Sequence, residues 1–158
     1  MLGSSAVGKT SLVRHYVDGI FSEKYLTTLG VKIDKKQLTI QNKEFQFLLW
    51  DIEGTDKYSA FQPRYIRGAA ALILVTDCTR IQTYIDATEI FKQARKFTDV
   101  PIILVINKND LDSHWQLNEQ TLLDHEQDFI DIIYTSAKTG TSVEQLFQSI
   151  GEYFVKHL

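Results

Sequence analysis

At 158 residues the chain is long enough for one domain with one good core. Its 44% hydrophobic and 23% charged residues exclude a disordered or low-complexity chain, and its net charge of −3, with no basic run or stripe, argues against nucleic acid as a partner. The single cysteine, Cys78, excludes an internal disulfide and fits reducing, cytoplasmic surroundings, while the longest apolar run, residues 69–75, is far too short to span a bilayer.

The chain opens on Gly3-Ser4-Ser5-Ala6-Val7-Gly8-Lys9-Thr10, a full match to G-x-x-x-x-G-K-[ST]. Gly3 and Gly8 permit a turn in which successive backbone N–H groups point inward and form a nest for phosphate oxygens. Lys9 would set one ammonium on the terminal phosphates. Thr10 offers a hydroxyl to Mg²⁺, an ion that keeps most of its waters and needs one or two protein ligands. A helix starting at Thr10 and Ser11 would turn the positive end of its dipole toward the same phosphates. A Gly/Ser turn that matches by chance is the competing reading, and the rest of the chain decides between them. Such a loop normally follows a buried strand, yet here Met1 and Leu2 alone precede it. Loss of a central strand would leave its neighbours with unpaired backbone groups, so the expectation is that the first strand is largely missing from the given sequence.

Residues 18–28 read as a polar loop. Alternation at Lys36, Leu38 and Ile40, then at Phe45, Phe47 and Leu49, predicts an antiparallel hairpin around Gln41-Asn42-Lys43, with Asp51 at the end of its second strand. Residues 52–67 read as loop plus a short helix. The continuous apolar runs 70–75 and 101–106 are strands buried on both faces. Between them, Ile85, Ile90, Phe91, Ala94 and Phe97 recur at near-helical spacing. A short helix is expected over 117–127 and a strand over 129–134. Val143, Leu146, Phe147, Ile150 and Phe154 make a closing amphipathic helix. Strands alternating with helices imply an α/β fold, a mostly parallel sheet with helices on both faces, whose ligand lies beyond the carboxyl ends of the strands. Every motif falls at that end.

Asn107-Lys108-Asn109-Asp110 immediately follows one buried strand. An Asn amide can pair with a purine edge, and a carboxylate at Asp110 can accept from both the ring N–H and the exocyclic amine of guanine. Adenine offers no such pair of donors. A polar turn after a strand is the bland alternative, and the phosphate loop two βα units away disfavours it. Ser136-Ala137-Lys138 after the last strand could present backbone N–H groups to the guanine oxygen. The four histidines show no ligand spacing and read as solvated surface.

With these motifs the chain resembles the Ras-like small GTPases, the Rab branch most closely. The carriers are residues 3–10, Thr28-Leu29-Gly30-Val31, Trp50-Asp51-x-x-Gly54, Arg64-Tyr65-Ile66-Arg67-Gly68-Ala69, residues 107–110 and residues 136–138. The resemblance implies a P-loop NTPase fold with a six-stranded sheet, one strand antiparallel, in a single GTPase domain over 1–158. It implies GTP or GDP as ligand and Mg²⁺ as cofactor, held by Thr10, Thr28 and, through water, Asp51. Thr28 and the Gly54 N–H would bind the γ-phosphate, and Phe21 would lie near the guanine. The loops around Thr28 and Gly54 would be switches, ordered by the γ-phosphate and released on hydrolysis. Effectors would dock on Ile33, Trp50 and Tyr65, where Ile33 replaces the usual phenylalanine; plain core packing is the alternative for Trp50 and Tyr65. An exchange factor and a GTPase-activating protein are implied partners of a monomer. Such proteins act at the cytosolic face of a membrane through a prenylated cysteine tail, absent at Lys156-His157-Leu158, so a tail removed from the given sequence or another route of attachment is implied.

One departure from the family falls in the catalytic segment. The usual D-T-A-G-Q reads Asp51-Ile52-Glu53-Gly54-Thr55. The missing glutamine is the group that orients the attacking water, and Thr55 is too short to offer it both a donor and an acceptor. Slow intrinsic hydrolysis is expected, with Lys9, Glu53, Gly54 and Thr55 as the candidate catalytic residues. Glu53 has three open readings: turned to solvent, weakening the closed GTP state, or replacing the glutamine. The favoured function is a Rab-like switch cycling between GTP and GDP, and the alternative is a GTP- or GDP-binding interaction module that does not cycle.

Overall fold

The structure, a computed structural model, describes residues 1–25, 27–54, 61–117 and 119–157. The first helix, α1 (Lys9–Asp18), runs straight out of the phosphate-loop motif. It ends at Gly19, whose φ of 70° permits its N–H to donate to the His15 carbonyl at 2.9 Å, the left-handed close of a helix that glycine makes without steric cost. Its apolar face buries Leu12, Val13 and Tyr16, and the Tyr16 ring stacks on Phe147 with centroids 3.8 Å apart.

Strands β1 (Val31–Ile40) and β2 (Lys43–Ile52) form the expected hairpin. Gln41 and Asn42 both have positive φ, 48° and 64°, the twist of a two-residue turn that matches the twist of the strands it joins. That turn sets the register in which Ile33 faces Trp50. Strands β3 (Leu72–Asp77), β4 (Ile102–Asn107) and β5 (Asp131–Tyr134) form a parallel sheet in that order. Every residue of β3 and β4 is buried: the apolar runs 72–75 and 102–106 pack on both faces, and the strands close on the buried polar residues Thr76, Asp77 and Asn107.

The pleat divides these strands between two hydrophobic clusters. Ile73, Val75, Ile103 and Val105 pack with Leu12 of α1 and with Leu146, Phe147 and Ile150 of α4 (Val143–His157). Leu74, Ile102, Leu104 and Ile106 pack with Tyr84, Ala87 and Ala94 of α2 (Ile81–Ala94) on the opposite face. Helices therefore cover both faces, and the carboxyl ends of β3 and β4 deliver Asp77 and Asn107 to one rim.

Several expectations are refined. Among the described residues there are five strands, and the first strand, expected to be largely missing, is represented by Met1 and Leu2. Met1 and Leu2 stand in a strand's place: the Met1 amine donates to the Trp50 carbonyl of β2, Leu2 N–H donates to Ile73 O, and Leu2 O accepts from Val75 N–H of β3. An apolar slot of about 420 Å³ follows β2 and β3 beneath Phe147, Ile150 and Phe154, away from the phosphate loop. The helix expected over 117–127 shortens to α3 (Glu119–Leu123), followed by a 3₁₀ turn at Glu126–Asp128. The helix carrying Ile85 and Phe97 ends at Ala94. Its buried residues are Thr83, Tyr84, Ala87 and Ala94, with Ile90 and Phe91 partly buried against the same cluster, while Ile85 is exposed and Phe97 is exposed past the helix end.

Candidate nucleotide site

The phosphate-loop motif is a closed turn braced from several sides. Lys9 Nζ donates to the carbonyls of Gly3 and Ser4 at 2.9 and 2.8 Å. Ser4 Oγ donates to Asp86 of α2 at 2.7 Å. The Val7 carbonyl accepts from the Asn107 amide at 2.9 Å, and Val7 itself is fully buried. Gly8 has φ 103°, and a Cβ there would overlap the Asn107 amide nitrogen, so this position demands glycine twice over. Ala6, with φ 60°, is exposed at the loop's tip beside Ser11. Gly54 comes against the loop from the far side: a Cβ there would lie 2.5 Å from Lys9 Nζ and 2.7 Å from the Ser4 carbonyl.

Thr10, Thr28 and Asp51 converge from three segments. Thr10 Oγ donates to Asp51 Oδ2 at 2.5 Å, and the hydroxyls of Thr10 and Thr28 are 2.5 Å apart. Thr28 Oγ also lies 3.5 Å from the same carboxylate oxygen. Asp51 is buried, and its other oxygen, Oδ1, has no hydrogen-bond partner among the described residues. A buried carboxylate oxygen left unpaired is costly, so this corner is built for a further positive or donating group. Glu53 turns aside: its carboxylate accepts from the Gly30 N–H at 3.0 Å. Thr55 lies outside the described residues.

Next to this corner a cavity of about 380 Å³ is lined by Ala6, Gly8, Phe21, Asn107, Lys108, Asp110, Ala137 and Lys138. Asp110 Oδ1 accepts from Ser136 Oγ at 2.7 Å, which orients the carboxylate. Asn107 does more holding than the sequence suggests. Besides Val7, its carbonyl accepts from Thr135 Oγ at 3.0 Å and from the Ala137 N–H at 3.2 Å, so one buried side chain ties the phosphate loop to both later loops. Lys138 pairs with Glu23 at 3.4 Å across the cavity mouth. Most of the described residues singled out from the sequence for phosphate, base or Mg²⁺ therefore line this cavity or the adjoining Thr10–Thr28 corner, and buried Gly3, Ser4 and Val7 form the turn behind them.

Residues 1–156 match the Ras family. The chain belongs to that family. It is 31% identical to the Ras-related protein Rab-2B of Dictyostelium discoideum, over all of this chain and 80% of that protein. It is 34% identical to the Ras-related protein RabJ of the same organism, over 98% of this chain and 62% of that protein. It is 33% identical to the Ras-related protein Rab-21 of Geodia cydonium, over 96% and 68%. The chain thus spans less than two thirds of one of these relatives. As a Ras-family small GTPase it is assigned to the guanine-nucleotide-binding GTP hydrolases. Among the described residues no helix is long and apolar enough to cross a membrane.

Four supports of this Ras-family site escape sequence reasoning. Asp77, buried at the end of β3, takes Lys108 Nζ at 2.7 Å and Arg80 Nε at 3.1 Å on the same oxygen. Arg80 also donates to the Ser5 carbonyl at 2.9 Å, linking phosphate loop and base loop through one carboxylate. Tyr25 reaches back so that its hydroxyl lies 2.9 Å from Ser5 Oγ. His15 corrects the reading of solvated histidines: its Nδ1 lies 2.9 Å from the Ala137 carbonyl, and its ring fills the space beside Gly140. An acidic residue closing an apolar run was the one available signal, for Asp77. Cys78 is buried, its thiol donates to the Lys108 carbonyl, and burial with Asp77 and Asp110 nearby pushes its pKa up to about 11, so it is not a nucleophile.

Burial alone would raise the Asp77 pKa, but the hydrogen bonds from Lys108 and Thr79 outweigh it and hold the carboxyl below its ordinary value of 3.8. The unfolded chain thus takes up this proton first as the pH falls. The stabilisation is whole above 3.8 and is withdrawn below it, through the folded value. Acid unfolding followed by circular dichroism is expected to be shallower for Asp77→Asn than for wild type below that pH, with the variant less stable near neutrality.

On the outer face of the hairpin, Ile33 and Trp50 are cross-strand neighbours and both are about half exposed, at 53% and 43%. Core packing is thereby set aside for Trp50. Tyr65 is half-buried against the second cluster, beneath the Arg64 guanidinium.

Proposed function

We propose that this small GTPase is a Rab-like switch that cycles between GTP and GDP to recruit effectors in membrane trafficking or signalling, with slow intrinsic hydrolysis. The observation that carries the reading is the meeting of Thr10 and Thr28 at one oxygen of Asp51, Oδ2, while the other, Oδ1, is buried and unpaired among the described residues. That donor set, two hydroxyls and one carboxylate, suits Mg²⁺, a hard cation that takes few protein ligands. Bound there with GTP, Mg²⁺ would neutralise charge on the β- and γ-phosphates. Thr28 belongs to the 27–30 segment and Gly54 to the segment after β2, so each is placed to sense a γ-phosphate and to be released when it leaves.

In the proposed reaction Lys9 supplies positive charge at the terminal phosphates, and the loop N–H groups and the α1 N-terminus hold them. Asp110 accepts from the guanine donors while Ser136, Ala137 and Lys138 close the base pocket, with Phe21 at its side. No glutamine follows Gly54, so the attacking water lacks its usual orienting group. Thr55→Gln is expected to raise single-turnover GTP hydrolysis about 10- to 100-fold. An unchanged slow rate in that variant would place the defect elsewhere. Absence of hydrolysis in both proteins, with tight GTP binding retained, would favour the non-cycling interaction module. Ile33, Trp50 and Tyr65 form the proposed effector surface, and an exchange factor and GTPase-activating protein are the proposed regulators.

A further inference from the structure

We infer that Glu53 is a positioning residue that latches the Thr28 segment over the nucleotide. The inference rests on the switch reading above and adds a residue to it. The ladder of β1 and β2 ends at Val31 opposite Ile52, and Gly30 and Glu53 are the next pair outward. Glu53 N–H donates to the Gly30 carbonyl at 2.8 Å, continuing the ladder by one bond. The return bond comes from the side chain: Gly30 N–H donates to Glu53 Oε2 at 3.0 Å. The main chain beyond Glu53 is meanwhile committed to bringing Gly54 against Lys9 and Ser4.

A side-chain acceptor is therefore what keeps the pair doubly bonded while the backbone departs toward the phosphate loop. Gly30 is two residues from Thr28, so pinning its N–H confines Thr28 to about 7 Å of chain reach. Within that reach Thr28 meets Thr10 and Asp51. An alanine at position 53 has no acceptor for this bond. The latch joins the two switch segments directly, so the Thr28 segment stays closed by a contact that does not involve the γ-phosphate. Slow release of nucleotide from both the GDP and the GTP state follows, with a smaller difference between the two.

The test uses Mg²⁺-loaded protein carrying a fluorescent GDP or a non-hydrolysable fluorescent GTP analogue. Dissociation is measured for wild type, Glu53→Ala and Glu53→Gln, together with hydrogen exchange at the Gly30 amide. Glu53→Ala is expected to speed release of both nucleotides about tenfold and to expose the Gly30 amide, because the side-chain hydrogen bond that holds it is lost. Glu53→Gln keeps an acceptor oxygen and is expected to recover most of the wild-type behaviour, which a role resting on charge would not allow. Release and exchange unchanged in Glu53→Ala overturn the latch. Both variants binding the GTP analogue more tightly than wild type overturn it in favour of repulsion of the γ-phosphate. Both losing hydrolysis with release unchanged overturn it in favour of a catalytic carboxylate. Failure of wild type to retain either nucleotide would instead strike the switch reading itself.

Discussion

Replacing Asp110 with asparagine is expected to lower affinity for GTP and GDP by about 10² to 10⁴ and to let xanthosine nucleotides bind in their place. Asp110 sits on the rim of the 380 Å³ cavity, with one oxygen fixed by Ser136. An oriented carboxylate is an acceptor only, and guanine is the base that presents two adjacent donors to it. Each hydrogen bond to a charged group contributes about 1.5–3 kcal/mol, and two of them correspond to the expected loss. Asparagine keeps one acceptor, which Ser136 can still use, but turns an amide donor toward the guanine amine. Xanthine carries a carbonyl where guanine carries that amine, and so accepts from the new donor. Displacement of a labelled GDP by GTP, ATP and xanthosine triphosphate measures the exchange of preference. Undiminished GTP binding in the variant, or displacement by ATP as good as by GTP in wild type, would remove Asp110 from the base site.

Asn107→Ala is expected to be the most damaging single substitution at the rim, for structural reasons first. The side chain is buried and serves Val7 O, Thr135 Oγ and the Ala137 N–H at 2.9, 3.0 and 3.2 Å. Truncation leaves three polar groups without it, at about 1–3 kcal/mol for each that stays dry. Water entering the gap recovers part of this, so a net loss of about 3–5 kcal/mol is expected, or about 6–20 °C in melting temperature for a chain of this size. Nucleotide affinity falls with it, because the phosphate loop and the 135–137 loop lose their common tie. Thermal unfolding with and without excess GDP checks both parts. A variant that melts like wild type would mean that the three loops hold one another by other contacts. Asn107→Asp is a useful companion: it keeps the acceptor for Thr135 and Ala137 but sets an oxygen against the Val7 carbonyl.

The two central strands were legible because burial on both faces demands unbroken apolar runs, and residues 70–75 and 101–106 have them. The hairpin was legible because alternation flanks Gln41-Asn42, a pair able to take positive φ. Ile85 shows where periodicity misleads. It is as apolar as its buried neighbours, yet the helix turns Tyr84 and Ala87 inward, since the surface beneath it decides which rotation packs. The hairpin also shows what a pattern leaves open: alternation announced two faces, and only packing of the inner one leaves Trp50 and Ile33 outward.

By itself the sequence determined the phosphate-loop motif, the Asn107-to-Asp110 motif from which guanine selection is proposed, and the order of strands and helices. These are local properties: contiguous residues whose backbone demands and donor patterns need no distant partner to be recognised. Tertiary structure alone decided what those residues lean on. Ser5 meets Arg80 across 75 positions, Asn107 meets Val7 across 100, and His15 meets Ala137 across 122. Glu53 belongs with these. In the sequence its carboxylate was open to solvent exposure, repulsion or catalysis, because a charged side chain at a strand end takes its role from whichever donor the fold brings within reach. Here that donor is the Gly30 N–H, presented by the strand that runs back alongside.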